Sequence, residues 1–241
     1  MKLFTKLSAL GAVIVLATAF ASADPVILAS YAQDGGNGGL INPNSNLYVV
    51  DPASLGFSVP NNGFTNMNPT PLNGQTQYLS VTNNSVWNLP VGISSWVSFN
   101  QTGPESNPFY QAANGNYFFQ STFNIGSDTP SNEYGFMNIQ ADDTVTAFLN
   151  GNQLNTPTGT SYPHCSNGVP TCNYATFISF GGSDFVAGTN TLTFEVTQAA
   201  GSDFGVDFSG AVSPVPEPGS LFLLGTGLIG SAGAFFRRMR S

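Results

Sequence analysis

Asp142 and Asp143 stand side by side in the stretch ADDTVTAFLNGN. Two carboxyl groups do acid–base work on a glycosidic bond only when they face each other across about 5 Å or more. Neighbours on an extended strand point to opposite faces, so this pair can serve one site only where the strand begins in a turn or bulge. Asp203 and Asp207 share a strand face but lie roughly 13 Å apart along an extended chain. Asp142 and Asp143 are also candidate Ca²⁺ ligands beside backbone carbonyls; capping a turn is the plainer use of either. The only histidine, His164, precedes Cys165, and nucleophilic catalysis needs a base beside its nucleophile. No G-x-S-x-G elbow is present, and His164 reads as a surface loop residue. Cys165 and Cys172 enclose Ser166-Asn167-Gly168-Val169-Pro170-Thr171. A disulfide closing so short a loop stabilises by roughly 2–3 kcal/mol in the chain-entropy model. His164 and the two cysteines crowded together lack the spacing of a structural zinc site. Trp96 and Tyr110 are the candidate sugar-facing rings, since sugar sites set an aromatic face beside a few polar groups; core packing is the ordinary fate of a tryptophan.

Gly225-Thr226-Gly227-Leu228-Ile229-Gly230 matches the dinucleotide fingerprint G-x-G-x-x-G. That fingerprint works inside a strand–turn–helix–strand unit, with an acid about 20 residues on. No acid follows Glu217, so the glycines read instead as small residues of an apolar helix that allow close helix contact in lipid.

The distribution of charge explains why. Lys2, Lys6, Arg237, Arg238 and Arg240 are the only cations, and all thirteen acids lie between Asp24 and Glu217. A body without Lys or Arg cannot neutralise phosphates, which excludes nucleic-acid binding. Its carboxylates must be solvated, hydrogen-bonded or bound to a cation. At the amino end, Lys2 and Lys6 precede the apolar run Leu7 to Ala19 and two small–x–small sites. This is the pattern of a signal peptide, spanning residues 1–23 with cleavage after Ala23. Export favours the disulfide. At the other end, residues 219–236 carry no charge and as a helix span about 27 Å, near the hydrocarbon thickness. The arginines of 237–241 place that end in the cytoplasm and the body outside. Residues 214–218, Pro-Val-Pro-Glu-Pro, form a stiff linker.

Pro216-Glu217-Pro218, the apolar segment and the closing Arg237, Arg238 and Arg240 together resemble the PEP-CTERM sorting signal of Gram-negative bacteria. The resemblance implies transient anchoring in the inner membrane and processing near Pro216–Pro218 by an exosortase, after signal peptidase has acted. The destination is then the cell surface or the extracellular space, in bacteria that make extracellular polysaccharide.

Residues 24–213 read as strands and turns. Leu192, Phe194 and Val196 alternate with Thr191, Thr193, Glu195 and Thr197, the period of a half-buried strand. Val145, Ala147 and Leu149 form a similar face, and Asn150-Gly151 after them predicts a type I′ hairpin turn. Tyr117, Phe119, Ser121, Phe123 and Ile125 set one face of a longer strand. Further strands are expected at 26–32, 47–50, 134–140, 175–180 and 204–212. The acid-led strand ending in Leu149-Asn150-Gly151, and the Gly188-Thr189-Asn190 turn leading into a long strand, resemble galactose-binding-like jelly-roll domains over residues 87–212. The expected fold is therefore all-β, a jelly-roll β-sandwich of about eight strands, with an immunoglobulin-like sandwich as the alternative.

The function expected is that of an exported, non-enzymatic envelope or matrix protein that binds carbohydrate, with extracellular polysaccharide as partner. A purely structural or adhesive matrix protein and a secreted glycan hydrolase are the competing readings. No cofactor is expected beyond the candidate Ca²⁺.

Overall fold

The computed structural model describes residues 25–31, 47–50, 52–59, 79–80, 87–99, 112–125, 130–155, 170–199 and 203–214, together with Gly227 and Gly230. The chain divides into two units, Pro25–Ser213 and a second made of Met1–Asp24 with Pro214–Ser241. In the second unit Gly227 and Gly230 are helical. The predicted signal peptide 1–23, the sorting residues Pro216, Glu217, Pro218, Arg237, Arg238 and Arg240, and the rest of the predicted span 219–236 lie outside the described residues. Among the described residues no helix is long and apolar enough to cross a membrane.

The first unit is all-β. Its strands are β1 (Val26–Ala29), β2 (Leu47–Val50), β3 (Leu79–Ser80), β4 (Val97–Ser98), β5 (Gly115–Ile125), β6 (Glu133–Asp142), β7 (Thr144–Leu149), β8 (Asn152–Gln153), β9 (Thr176–Gly181), β10 (Gly188–Gln198) and β11 (Gly205–Pro214). One sheet runs β3-β4-β11-β6-β9, with β1 also paired to β11; the other runs β2-β5-β10-β7-β8. The two antiparallel sheets pack as a sandwich. Phe194 of β10 stacks on Phe208 of β11 with ring centroids 4.3 Å apart, and Tyr117 of β5 meets Phe204 at 4.6 Å. Met137, Ile139 and Val206 from one sheet join Phe119, Leu149 and Leu192 from the other in a single buried cluster. Each such side chain contributes roughly 1.5–3 kcal/mol on burial.

The alternation Leu192, Phe194, Val196 faces this core, as the pattern predicts. The opposite face of β10 is not half-exposed, however: Thr193, Glu195 and Thr197 are buried as well. β10 is a central strand between β5 and β7, and neighbouring residues on that outer face, among them Phe118 and Phe148, are also buried. Phe57, from the segment after a 3-10 turn at Pro52–Ser54, packs its ring 5.2 Å from Phe148. The segment that carries Phe57 has no strand periodicity, so its packing on β7 beside β10 could not be read from the strand pattern.

The β7–β8 hairpin turns as expected. Asn150 and Gly151 both have positive φ, 52° and 83°, which a type I′ turn requires. The same asparagine does a second job. Its side chain donates to Asn190 Oδ1 at 2.8 Å and to the Asp184 carbonyl at 2.9 Å, and accepts from the Thr191 amide at 2.9 Å. Asn190 also accepts from the Val186 amide and donates to the Val186 and Gly188 carbonyls. Its amide thus fills its full hydrogen-bonding capacity in a site closed to solvent. The Leu-Asn-Gly hairpin and the Gly-Thr-Asn turn are therefore one interlocked structure. Asn190→Ala is expected to lower stability by about 3 kcal/mol, because several buried groups lose their partner at once; urea unfolding checks this, and a loss under about 1 kcal/mol would contradict it.

Candidate functional site

The outer face of the six-stranded sheet holds Asp142 and Asp207, two of the carboxyl groups that the sequence singles out. β6 directs alternate residues to this face, its pattern passing from exposed Tyr134 and Phe136 to buried Gln140 and Asp142. β11 adds Asp207, which bonds to Gln140. The segment 87–95 is fastened over the buried half.

Asp207 is the centre of that fastening. Its carboxyl accepts from Ser94 Oγ at 2.5 Å, Ser30 Oγ at 3.1 Å, Gln140 Nε2 at 2.8 Å and the Val91 amide at 2.8 Å. Burial pushes its pKa upward, against the lowering effect of these donors. The single hydroxyl proton of Ser30 is shared between Asp207 and the Ser95 carbonyl, 2.8 Å away, the Ser95 amide donates to the Ser30 carbonyl, and Gln140 Nε2 donates to the Leu89 carbonyl. Strands β1, β6 and β11 and the segment 87–95 thus meet at one carboxyl group.

Asp142 is the second anchor. Trp87 Nε1 donates to it at 2.7 Å. Burial, and next the neighbouring charge of Asp143, push Asp142 up to about 8. The strand ends at Asp142 and bends at Asp143, and the two carboxyl groups lie within hydrogen-bonding reach. The bend at Asp143 is the exception under which adjacent acids can converge. Asp143 accepts from the Ala199 amide at 2.6 Å, and its own amide donates to the Thr197 carbonyl. Both side chains are buried and both have protein donors. Among the described residues no group of three His, Cys, Asp or Glu side chains is placed to hold a metal ion.

Trp96 is 1% exposed. It stacks on Trp87 with centroids 4.3 Å apart and donates to the Asn88 carbonyl. Gly205 leaves room for the pair, since a Cβ there would lie 3.2 Å from the Trp87 ring. Trp96 therefore offers no face to a sugar: its ring fills the space beneath the fastened segment. Cys172 is buried with the two tryptophans. Tyr110, His164 and Cys165 lie outside the described residues, so the proposed Trp96–Tyr110 pair and the Cys165–Cys172 disulfide each have one member there.

Two features escaped the sequence reading. Glu195, on the covered face of β10, is pushed up to about 7 by burial. The other is a set of exposed rings. Tyr134, Phe136 and Phe177 are 43%, 38% and 55% exposed, with centroids 6.5 Å apart for the first two and 6.2 Å for the last two. The signal was available, since β6 reads Tyr-Gly-Phe-Met-Asn-Ile-Gln, with aromatics where an outward face is normally polar.

The model of the PEP-CTERM protein-sorting motif matches residues 214–240. No curated protein and no solved structure matches the chain. The motif marks an exported protein sorted by an exosortase.

Proposed function

We propose that this exported chain is a non-enzymatic protein of the cell envelope or extracellular matrix, and that its β-sandwich binds carbohydrate there. The observation that carries the reading is the sorting motif at 214–240, joined to a body in which no lysine or arginine occurs between Asp24 and Glu217. Signal peptidase removes residues 1–23. The segment 219–236 holds the carboxyl end in the inner membrane until an exosortase cuts near Pro216–Pro218, and the body passes to the surface. Cys165 and Cys172 pair in the oxidising compartment; the burial of Cys172 beside Trp87 and Trp96 supports a structural role. The burial of Asp142 and Asp143 weighs against a hydrolase built on that pair, because a substrate must reach its acid.

Intact-mass measurement of the exported protein tests the route. The expected mass lacks residues 1–23 and everything beyond the Pro-Glu-Pro site. A mature mass retaining Arg237 to Ser241 would refute processing at that motif.

A purely structural or adhesive role is the second reading, favoured by the way the carboxyl groups fasten segments of the body rather than open a cleft. Deletion of the gene with unchanged biofilm and adhesion would count against it.

A further inference from the structure

The exposed rings of β6 and β9 have no part in the core. Their strands bury the opposite face, through Met137, Ile139, Ile178 and Phe180, so the rings stand on a rigid sheet. Phe177 lies opposite Asn138, and Phe136 opposite Ser179. Uncharged hydrogen-bonding groups therefore alternate with the aromatic faces. We propose that Tyr134, Phe136 and Phe177 form a binding platform for a neutral polysaccharide, with Asn138 and Ser179 bonding to its hydroxyls. The proposal rests on the carbohydrate-binding role above and gives that role a place.

Two observations select this occupant. Residues 24–213 hold twelve acids and no Lys or Arg, so an anionic polymer meets net repulsion, and two copies of the body repel each other. The three partly exposed rings present on the order of 300 Å² of surface. A stable protein interface needs about 800 Å² on each partner. A glycan chain needs no such area, because the carbon-bound hydrogens of one sugar cover one ring while its hydroxyls meet the flanking polar groups.

Affinity electrophoresis of the exported protein tests this, in gels cast with hydroxyethylcellulose or dextran as neutral glycans and alginate as an anionic one. Retardation is expected in at least one neutral gel and not in alginate. Phe136→Ala and Phe177→Ala are each expected to weaken binding by about tenfold, with the near-ultraviolet signal of the Trp87–Trp96 pair unchanged. Retardation that survives the double variant overturns the platform and leaves carbohydrate binding standing elsewhere. Absence of retardation of the unaltered protein in every neutral gel, or retardation by alginate alone, overturns both. A dimer in sedimentation velocity that the ring variants abolish assigns the face to self-association and overturns the platform.

Discussion

Thermal unfolding is expected to move to lower temperature as the pH rises from about 5 to about 8, the reverse of the usual behaviour of a carboxylate-rich protein. Asp142 is raised to about 8 and Glu195 to about 7, in each case first by burial. In the unfolded chain these groups ionise near the ordinary carboxylate value of about 4. Between that value and their folded values, the native protein holds protons that the unfolded chain releases. Stability is therefore fully present at acid pH and falls as pH rises through the folded values. Each group contributes a slope of about 1.4 kcal/mol per pH unit across its own window. Asp142→Asn keeps an acceptor for the Trp87 indole and carries no charge, so it is expected to flatten the profile and raise stability near pH 8. Chemical denaturation at several pH values checks both points. A stability that climbs from pH 5 to 8, or an asparagine variant with the slope unchanged, would sink the assignment.

Gly210→Ala is expected to cost more than about 4 kcal/mol or to prevent folding, a range reached only by a few mechanisms. A Cβ at Gly210 would lie 2.0 Å from the Phe136 carbonyl oxygen and 2.6 Å from Met137 Cα. Both are backbone atoms of β6, so no side chain can turn aside to make room. The strand must move away from β11 and lose the contacts between them. Gly188→Ala makes a useful contrast: its space is open, and only its φ of 81° opposes the change, at a cost of about 1–2 kcal/mol. Equal midpoints for the two variants in denaturant would contradict this account.

The strands were legible wherever one face was apolar and the period was two. Val145, Ala147 and Leu149 pointed to β7, and Asn150-Gly151 to the turn beyond it, because each signal is local. The packing of Phe57 on Phe148, the β7 neighbour of Thr193 in β10, was not legible, because a segment without periodicity leaves no mark on the strand beneath it. The same limit applies to the carboxyl groups. Asp207 gathers donors from Ser30, Ser94 and Gln140, residues up to 177 positions away along the chain. Trp96 looked accessible because its neighbours read as loop, yet loop residues fastened over a sheet can bury a ring completely. The aromatics of β6 were recognised as strand but not as surface, since period alone does not say which face meets water.

The pairing of β1 with β11, Val26 opposite Val212, also sets an order in time. β11 lies between β4 and β6 and carries β1 as well, so it is the strand on which the rest of its sheet depends. It is also the last of the described strands to leave the ribosome. Until Pro214 has been made, β1, β4 and β6 lack their shared partner and expose unpaired backbone groups. Contacts of such long sequence separation form late and slowly. β11 ends at Pro214, where the sorting motif of 214–240 begins, so the six-stranded sheet can close only once the chain is available right up to its sorting address.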